Sequence, residues 1–345
     1  MKVVVDENIP YLQIPLRRVA KVTALPAEAI TAEAVRDADA LIVRTRTRCE
    51  ASLLAGSRVR FIATATIGYD HIDTAWCEAH DIRWTNAPGC NASSVCQYVE
   101  CALRLLADEG VITLSGSTIG IVGLGHVGSR VKAMAERLGL RTFCCDPPLA
   151  EERSIGQQVN RSTSCFADRI QRVDLLPCRF VDLETLAAES DILTFHVPLT
   201  KDGPYPTWHM ADASFFASLR RTPLFINTSR GAVVETAALK TALRERYIRQ
   251  AVIDVWEGEP DINLDLLRLA RITTPHIAGY SADGKARASQ MVLDAFTEFF
   301  GLSPLSAETP PTAATPYDID ADSRRLKASP STFEYQRNHY PLRRE

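Results

Sequence analysis

The sequence predicts an α/β protein made of two doubly wound parallel-sheet domains with a cleft between them. Short β-rich runs alternate with helix-like stretches along most of the chain, which is the pattern of βαβ units in a parallel sheet covered on both faces. The length of 345 residues is enough for two domains of ordinary size. A long helix-like stretch separates two series of these runs, so we expect two sheets.

The first domain is predicted over residues 1–95. Its β-rich runs are KVVV at 2–5, ALIVR at 40–44 and RFIATAT at 60–66. The stretch NASSVCQYVECALRLLADEG at 91–110 has a polar start suited to an N-cap and apolar residues at helical spacing. We expect it to form one long helix that leads into the second domain.

Six further β-rich runs follow this helix, with helix-like stretches between them. The same alternation predicts that the second sheet is also parallel. The runs are TIGIVG at 118–123, RTFCCD at 141–146, DILTFHV at 191–197, PLFINTS at 223–229, QAVIDVW at 250–256 and RITTPHI at 271–277.

Two segments do not fit the alternation. Residues 151–180 are polar, rich in Arg, Ser and Gln and without clear periodicity, so we expect a surface insertion. Residues 301–345 begin with a stretch dense in Pro, Thr and Ala, which favours an extended or disordered tail. The last stretch, FEYQRNHYPLRRE at 333–345, is aromatic and basic. It is either a frayed tail or a segment whose arginines reach a neighbouring subunit or the substrate.

The composition argues against several classes of protein. A net charge of -3 lacks the positive balance of a general nucleic-acid binder, and no run approaches the roughly 18 apolar residues that cross a bilayer. The start, MKVVVDENIP, enters a strand without a basic leader, so we expect a cytoplasmic protein. The nine cysteines include no CxxC pair, which favours reduced packing residues and no metal site.

A nucleotide site is predicted where Gly123, Gly125 and Gly128 form a GxGxxG pattern after a β-rich run and before an amphipathic helix. Glycines permit the tight turn and the close approach of pyrophosphate to the helix N-terminus. Asp146, at the end of the next run, can accept hydrogen bonds from a ribose 2′-OH and repels a 2′-phosphate, so NAD is favoured over NADP. The other loop residues are His126 and Val127.

Three charged residues follow later β-rich runs: Arg230, Glu259 and His276. The carboxyl ends of parallel strands converge on a ligand crevice, so these side chains could form one site for hydride exchange with a hydroxy acid. Arg230 can bind a carboxylate through two hydrogen bonds, and His276 can exchange the hydroxyl proton. Glu259 can orient the imidazole and stabilise its protonated form.

Each of the three residues also has an ordinary structural interpretation. Arg230 could interact with a helix dipole or belong to a loop ion pair, and His276 could be a packed ring. Glu259 could be a solvated carboxylate among Glu257 and Asp261. The pattern of the residues taken singly leaves these alternatives open.

The chain resembles the D-2-hydroxyacid dehydrogenase family in NTSRG at 227–231, DVWEGEP at 254–260, TPHIAG at 274–279 and GYDHIDTAW at 68–76. The resemblance covers about residues 1–300. It implies that Arg230, Glu259 and His276 are the catalytic triad. It also implies a flavodoxin-like substrate domain over 1–95 and 280–300, a Rossmann NAD domain over 96–279 and a C-terminal tail over 301–345.

Within the family, six stretches resemble a subfamily that uses NAD to oxidise a phosphorylated 2-hydroxy acid in pyridoxal phosphate biosynthesis. They are VVVDENIPY, DADALIVRTRT, FIATATIGYDHID, APGCNASSVCQYV, DILTFHVPLTKDGPYPTWHM and HIAGYSADGKARA. The resemblance implies substrate contacts at Thr45, Thr66 and Tyr280. It implies that NAD is lined by Asp146, Val197, Thr228, Ser229, Arg230, Asp254 and Gly279. Thr45 and Thr66 could instead satisfy local backbone, and Asp254 could cap a loop.

The substrate phosphate requires cations, and VRTRTR offers Arg44, Arg46 and Arg48. Alternation along a strand would put all three on one face, where Arg44 or Arg46 could bind the phosphate. Val197 departs from the subfamily pattern because a hydroxyl residue is common there. Ile67 and Tyr69 are bulkier than usual beside the substrate loop.

The C-terminal tail is shorter than the dimerisation domain that such enzymes often carry, and a homodimer is expected by analogy only. Two other functions remain open. One is oxidation of another 2-hydroxy acid such as 3-phosphoglycerate, and the other is a non-catalytic NADH-sensing scaffold on the same fold.

Overall fold

A computed structural model describes residues 1–156, 179–311, 317–341 and 343–345. The chain forms two compact units. The first unit comprises Met1–Asn91, Tyr280–Thr315 and Leu342–Glu345, and the second comprises Ala92–Gly279 and Pro316–Pro341. Most of the expected surface insertion at 151–180 lies outside the described residues.

The first unit contains a five-stranded parallel sheet in the order β2-β1-β3-β4-β5, which is the flavodoxin-like order. Its interior strands are apolar on both faces because helices cover both sides. On β1, Val3 and Val5 pack into one core and Val4 packs into the other. The strands and helices are β1 Lys2–Asp6, α1 Gln13–Arg17, β2 Lys21–Leu25, α2 Ala32–Val35, β3 Ala40–Val43, α3 Ala51–Leu54, β4 Phe61–Thr64, α4 Thr74–Ala79 and β5 Arg83–Thr85.

The second unit begins with the predicted long helix, α5 Ala92–Asp108. Its seven strands are all parallel, in the order β12-β11-β10-β9-β6-β7-β8. The elements are β6 Thr118–Val122, α6 His126–Arg137, β7 Arg141–Cys145, α7 Pro147–Gly156, β8 Arg179–Phe180, α8 Leu183–Glu189, β9 Ile192–Phe195, α9 Ala213–Ser218, β10 Leu224–Asn227, α10 Thr236–Arg244, β11 Gln250–Ile253, α11 Leu264–Leu269 and β12 Ile272–Thr273.

The order of the second sheet reverses between β6 and β9. From β6 the chain moves outward through β7 and β8, and it then returns to β9 and moves the other way. Ligands of open parallel sheets bind outside the carboxyl ends of the strands at such a switch point. The prediction of two doubly wound parallel sheets, one flavodoxin-like and one of the Rossmann type, is confirmed.

After β12 the chain returns to the first unit through α12 Ala282–Phe300. The apolar side of this helix, including Val292, Leu293 and Phe296, packs on one face of the first sheet. Phe296 meets Phe61 of β4 edge to face, with ring centroids 6.0 Å apart. Gly301 ends the helix in the left-handed conformation that favours glycine.

The expectation of an extended tail is wrong for residues 319–338, which form α13 Ile319–Ala328 and α14 Phe333–Asn338 in the second unit. Asp318 caps α13 by accepting a hydrogen bond from Ala321 N. Leu326 and Phe333 are fully buried in the core of that unit. A few large apolar groups, spaced to reach one core, outweigh the polar composition of the segment.

Residues 343–345 are not frayed either, because they dock on the start of α12. Arg344 pairs with Asp283 at 2.7 Å, and Glu345 accepts hydrogen bonds from Ser281 and Arg287. Backbone pairing reinforces the contact, since Ala282 N donates to Arg343 O at 2.9 Å. The arginine at 344 therefore binds its own chain.

Two observations bear on composition. No helix in the described ranges is long and apolar enough to span a membrane. The seven cysteines among the described residues are free thiols, and six of them are buried. Cys165 and Cys178 lie outside the described residues.

Candidate active site

The glycine loop after β6 has the geometry that a dinucleotide site requires. At Gly123, with φ +86°, a Cβ would lie 2.7 Å from the carbonyl oxygen of His196, and at Gly128 it would lie 2.0 Å from the carbonyl oxygen of Gly123. Those two glycines allow the loop to lie against its neighbours. A Cβ added at Gly125 would meet nothing within 4 Å. Gly125 therefore leaves an open space over the N-terminus of α6, which has no side-chain cap. His126 and Val127 form the first turn of that helix.

Asp146 follows β7 and lies beside the glycine loop. Its Oδ2 accepts a hydrogen bond from Leu124 N at 2.8 Å, and its Oδ1 accepts one from Leu149 N at 3.1 Å. The carboxylate is thus fixed at the end of its strand, where an adenosine ribose lies in Rossmann domains. The open glycine position and this carboxylate both fit NAD.

The loop after β9 contributes His196 and Val197 next to the glycine loop. His196 is hydrogen-bonded to Thr194 Oγ1 at 2.9 Å and to Thr228 Oγ1 at 3.3 Å. Burial lowers the pKa of His196 to about 3, so the ring is neutral. Val197 Cγ1 would lie 2.8 Å from a Cβ at position 123. Val197 therefore covers the glycine turn with an apolar group where a hydroxyl was expected from the family.

Arg230 follows β10 in a loop that Asn227 organises. Asn227 Oδ1 accepts hydrogen bonds from the backbone and hydroxyl of Ser229, and Asn227 Nδ2 donates to Arg230 O at 3.0 Å. The Arg230 side chain is half-buried, and its NH1 donates to Ser229 O. Within the described residues it forms no ion pair, so the loop ion pair considered from the sequence is not present there.

The glycine that follows Arg230 has a steric reason. A Cβ at Gly231 would lie 1.9 Å from the carbonyl carbon of Trp256 and 2.3 Å from Glu257 N. Only glycine allows the loop after β10 to lie directly on the loop after β11. The Arg-Gly sequence therefore brings the Arg230 loop against the segment that carries Glu259.

Glu259 and His276 form a hydrogen-bonded pair. His276 Nδ1 lies 2.8 Å from Glu259 Oε2, and Trp256 N donates to Glu259 Oε1 at 2.8 Å. Burial alone would raise the pKa of Glu259, but hydrogen bonds from His276 and Trp256 and the charge of Arg337 hold the pKa below its usual value. With 19% of its side chain exposed, Glu259 is not a solvated carboxylate.

The ionised state of Glu259 fixes the imidazole tautomer. A carboxylate only accepts hydrogen bonds. Nδ1 of His276 therefore carries the proton and donates a hydrogen bond to Glu259. Nε2 is then the free acceptor of the neutral ring. The His276 side chain is 27% exposed, so that nitrogen belongs to a partly open ring. An imidazole held in this way can act as an acid-base group, with the carboxylate as its orienting partner.

Asp254, at the end of β11, holds the loop on which His276 lies. Its Oδ1 accepts from Thr274 Oγ1 at 2.6 Å and Ile277 N at 2.8 Å, and its Oδ2 accepts from Ala278 N at 3.0 Å. His276 N also donates to Asp254 O at 2.8 Å, while its φ is +58°. Such a conformation is uncommon for a residue other than glycine, so the loop depends on these bonds.

In the first unit, Arg44 follows β3 and is oriented by Asp6. Arg44 Nε donates to Asp6 Oδ2 at 3.0 Å, and the Asp6 side chain is fully buried. The VDEN stretch thus provides a fixed carboxylate for Arg44. Strand β3 ends at Val43, so the prediction that Arg44, Arg46 and Arg48 alternate along a strand is wrong.

The residues after Arg44 lie at the surface. Thr45, Arg46 and Arg48 are exposed, whereas Arg44 is half-buried. The chain turns here, and the backbone of Thr47 bonds back to Arg44 O at 3.3 Å. A turn separates the three arginines, which a strand would have aligned.

Thr66 and Tyr280, the other predicted substrate contacts, both lie in the first unit. Thr66 Oγ1 donates to Gly68 O at 2.9 Å and is 2.7 Å from Thr64 Oγ1, so it forms local hydrogen bonds. Lys285 Nζ lies 4.9 Å from the centre of the Tyr280 ring. Burial and the charge of Arg44 lower the pKa of Lys285 to about 8. Gly279 is the last residue of the second unit before Tyr280.

Three residues in these surroundings were not predicted from the sequence. Asn227 organises the Arg230 loop, Lys285 lies over the Tyr280 ring, and Arg337 of α14 lies 3.7 Å from Glu259. Lys285 lies in the first turn of α12, after the Ser281 cap, and this position could have marked it as a candidate in the sequence. Arg337 had no signal beyond the basic character of its stretch.

Known proteins match this chain along its whole length. The family model of the D-isomer specific 2-hydroxyacid dehydrogenase, NAD binding domain, matches residues 106–278. The erythronate-4-phosphate dehydrogenase of Bacteroides fragilis is 49% identical over 360 residues, covering 100% of this chain and 97% of that protein. The enzyme of the same name from Escherichia coli is 40% identical over 370 residues, covering 100% and 92%.

A solved structure shows the same fold. The D-lactate dehydrogenase from Aquifex aeolicus complexed with NAD and lactic acid has a TM-score of 0.65 and 24% identity, covering 87% of this chain and 96% of that one. The family resemblance found in the sequence is confirmed by the family model and by the full-length relatives. The chain therefore belongs to the D-isomer-specific 2-hydroxyacid dehydrogenase family and is an NAD-dependent oxidoreductase.

Proposed function

We propose that this protein oxidises 4-phospho-D-erythronate at C2 to 2-oxo-3-hydroxy-4-phosphobutanoate with NAD, a step in pyridoxal 5′-phosphate biosynthesis. The substrate is proposed from the name of the Bacteroides fragilis relative, erythronate-4-phosphate dehydrogenase, which is 49% identical over the whole chain. The observation that carries the chemistry is the Glu259–His276 pair at 2.8 Å, with Nδ1 directed to the carboxylate. That pair leaves an imidazole nitrogen to exchange the C2 hydroxyl proton.

His276 is the proposed base in the oxidation and the acid in the reverse reaction. Nε2 takes the hydroxyl proton while the C2–H bond breaks and the carbonyl forms. The chemistry that NAD would supply when bound is acceptance of the hydride from C2. Glu259 stabilises the imidazolium that results, and the loop held by Asp254 keeps the ring in place. The sum is a two-electron oxidation that releases one proton.

Arg230 is the proposed ligand of the substrate carboxylate. Its guanidinium donates only to Ser229 O within the described residues, so further N–H donors remain for two parallel hydrogen bonds. The same positive charge would polarise the carbonyl oxygen that forms at C2. Asp146, Val197, Thr228, Ser229, Asp254 and Gly279 stay proposed NAD contacts, as do the glycine-loop residues.

Arg44 and Lys285 are the proposed cations for the substrate phosphate, with Tyr280 beside them. Asp6 binds only the Nε side of Arg44, which leaves the terminal guanidinium nitrogens available within the described residues. Two partly buried cations whose charges act on each other favour an anion with two charges. Arg46 is exposed and stays the weaker candidate, while Thr45 and Thr66 stay proposed contacts to the substrate.

The first test is NAD reduction by the purified protein with 4-phospho-D-erythronate, 3-phosphoglycerate and D-glycerate in parallel. A carbonyl trap is needed because oxidation of an alcohol by NAD is unfavourable near neutral pH. We expect turnover selective for 4-phospho-D-erythronate that His276→Ala abolishes. Selective turnover of 3-phosphoglycerate would replace the proposed substrate, and tight NADH binding without turnover of any acid would favour the sensor function.

A second test addresses the phosphate. We expect Lys285→Met to lower kcat/KM for 4-phospho-D-erythronate by about tenfold to a hundredfold while leaving the slow oxidation of unphosphorylated D-erythronate unchanged. Arg48→Met is the matched control, because Arg48 is exposed and lies in the same stretch as Arg44. Equal losses with both acids would mean that Lys285 does not bind the phosphate.

A cytoplasmic location and a homodimer remain predictions. The alignment with the Bacteroides fragilis relative includes residues 301–345, because it covers all of this chain. Size-exclusion chromatography with light scattering measures the assembly directly. The chain mass is 38.1 kDa, and the expected result is a single species of twice that mass.

A further inference from the structure

A basic residue from the C-terminal helix lies at the catalytic carboxylate. Arg337 NH1 is 3.7 Å from Glu259 Oε2, the same oxygen that accepts the hydrogen bond from His276 Nδ1. The exposed fraction of the Arg337 side chain is 24%, and that of Glu259 is 19%. Glu259 Oε2 is therefore shared between an imidazole and a guanidinium in a partly buried place.

The position of Arg337 is fixed by the packing of α13 and α14 in the second unit. Phe333, four residues earlier, is fully buried with Leu326 in the core. Gln336 donates to the carbonyl oxygen of Ser329 at 3.1 Å and to Thr332 Oγ1 at 2.8 Å. Tyr340 donates to the buried Asp322 at 2.7 Å. Arg337 thus lies between Gln336 and Tyr340, both of which are held by hydrogen bonds.

The preceding helix is attached to the edge strand of the same sheet. Thr273 N, in β12, donates to Ser323 Oγ at 3.0 Å, and Lys327 Nζ donates to Ala270 O at 2.6 Å. Arg271 binds Asp320 at 2.9 Å and also pairs with Glu109. Strand β12 leads directly into the His276 loop. These contacts therefore fix the position of α13, and of α14 after it, relative to that loop.

We propose that Arg337 is a positioning residue of the active site, which acts through Glu259 to set the pH range in which His276 works as a base. The proposal rests on the roles proposed above for Glu259 and His276. It assigns to the C-terminal segment a part in the reaction, beyond any part in assembly.

The physical reason is competition for one negative charge. Alone with Glu259, an imidazolium would be strongly stabilised in this partly buried place, and the ring would hold its proton at higher pH. Arg337 offsets part of the carboxylate charge, so the carboxylate stabilises an imidazolium less than it would alone. Among the described residues, the charged groups that act on the pair are Arg337 from α14, which acts on Glu259, and Asp254 from the end of β11, which acts on His276.

The test compares Arg337→Gln with Arg337→Lys. Removal of the charge should move the midpoint of the rising limb of kcat/KM for oxidation upward by about 0.5 to 1 pH unit, while the plateau at high pH changes less than about threefold. Lysine should restore most of the wild-type midpoint because it keeps the charge. Arg324→Gln is the matched control, since Arg324 is exposed on α13 and pairs with Asp320.

A second readout does not need turnover. The titration midpoint of the His276 ring, followed by NMR in the substrate-free protein and assigned with His276→Ala, should shift upward in Arg337→Gln and not in Arg324→Gln. Thus a wrong substrate and a wrong role for Arg337 can be told apart. An unchanged midpoint in both measurements, or an equal loss of activity at every pH that lysine does not restore, would overturn the proposal.

Discussion

Substitution of Gly231 by alanine tests whether the Arg230 loop must lie on the loop that carries Glu259. The added Cβ would be 1.9 Å from the carbonyl carbon of Trp256, whereas carbon atoms in contact need about 3.5 Å. Both partners are backbone, so no rotamer relieves the overlap, and the loops must separate by about 1.5 Å. A misplacement of about 1 Å can cost a hundredfold in rate, so we expect kcat/KM to fall at least about a hundredfold. Overpacking should lower the free energy of unfolding by about 1–3 kcal/mol.

The assay is the steady-state oxidation of 4-phospho-D-erythronate, with the thermal midpoint measured in the same buffer. Gly110→Ala is the control, because Gly110 has φ +72° and nothing within 4 Å of a Cβ. It should lose about 1–2 kcal/mol of stability through backbone strain and keep its kinetics. If Gly231→Ala retains kcat/KM within threefold of wild type, the loops do not need this close approach and the steric reasoning is wrong.

Three further outcomes are expected. Gly125→Ala should keep the thermal midpoint of the cofactor-free protein but weaken NADH binding measured by fluorescence, because a Cβ meets nothing in the protein and would occupy the space open to pyrophosphate. Asp254→Asn should lower kcat/KM about tenfold to a hundredfold, since an amide nitrogen would face Ala278 N or Ile277 N; unchanged kinetics would contradict the role of Asp254 in holding the loop. Glu259 has a folded pKa below its ordinary value of 4.5, so its ionised form stabilises the fold above about pH 4.5, and this contribution is lost as pH falls through the lower value. Acid unfolding followed by circular dichroism should therefore be shallower in Glu259→Gln than in wild type.

The interior strands of both sheets were predictable from sequence because they are continuous apolar runs. The strands that were missed are β2, β5 and β8, and all three lie at sheet edges. In β2 the burial pattern is exposed or intermediate throughout, and β8 has only two residues. An edge strand has one neighbour and a partly solvated face, so neither length nor hydrophobicity marks it.

The identities of the predicted catalytic residues could be read from sequence because each follows a recognisable strand. The contacts that hold them could not. Asp254 bonds to residues 20 to 24 positions away, and Arg337 reaches Glu259 from a helix 78 positions further along the chain. Such contacts depend on how α13 and α14 pack on β12. The stretch between α12 and α13 is rich in Pro, Thr and Ala, and this composition favours a tail.

The two carboxylates beside His276 show how the fold divides their tasks. Burial is the largest influence on both, and it raises the pKa of Asp254 even though His276, Thr274 and two backbone N–H groups oppose the rise. For Glu259 the opposing groups prevail, because the direct hydrogen bond from the imidazole is joined by the charge of Arg337. Glu259 thus accepts the hydrogen bond from Nδ1 of His276, while Asp254 secures the backbone of the loop. In the proposed reaction, Nε2 is available to the substrate because the ionised Glu259, whose pKa the charge of Arg337 helps to lower, accepts the hydrogen bond from Nδ1.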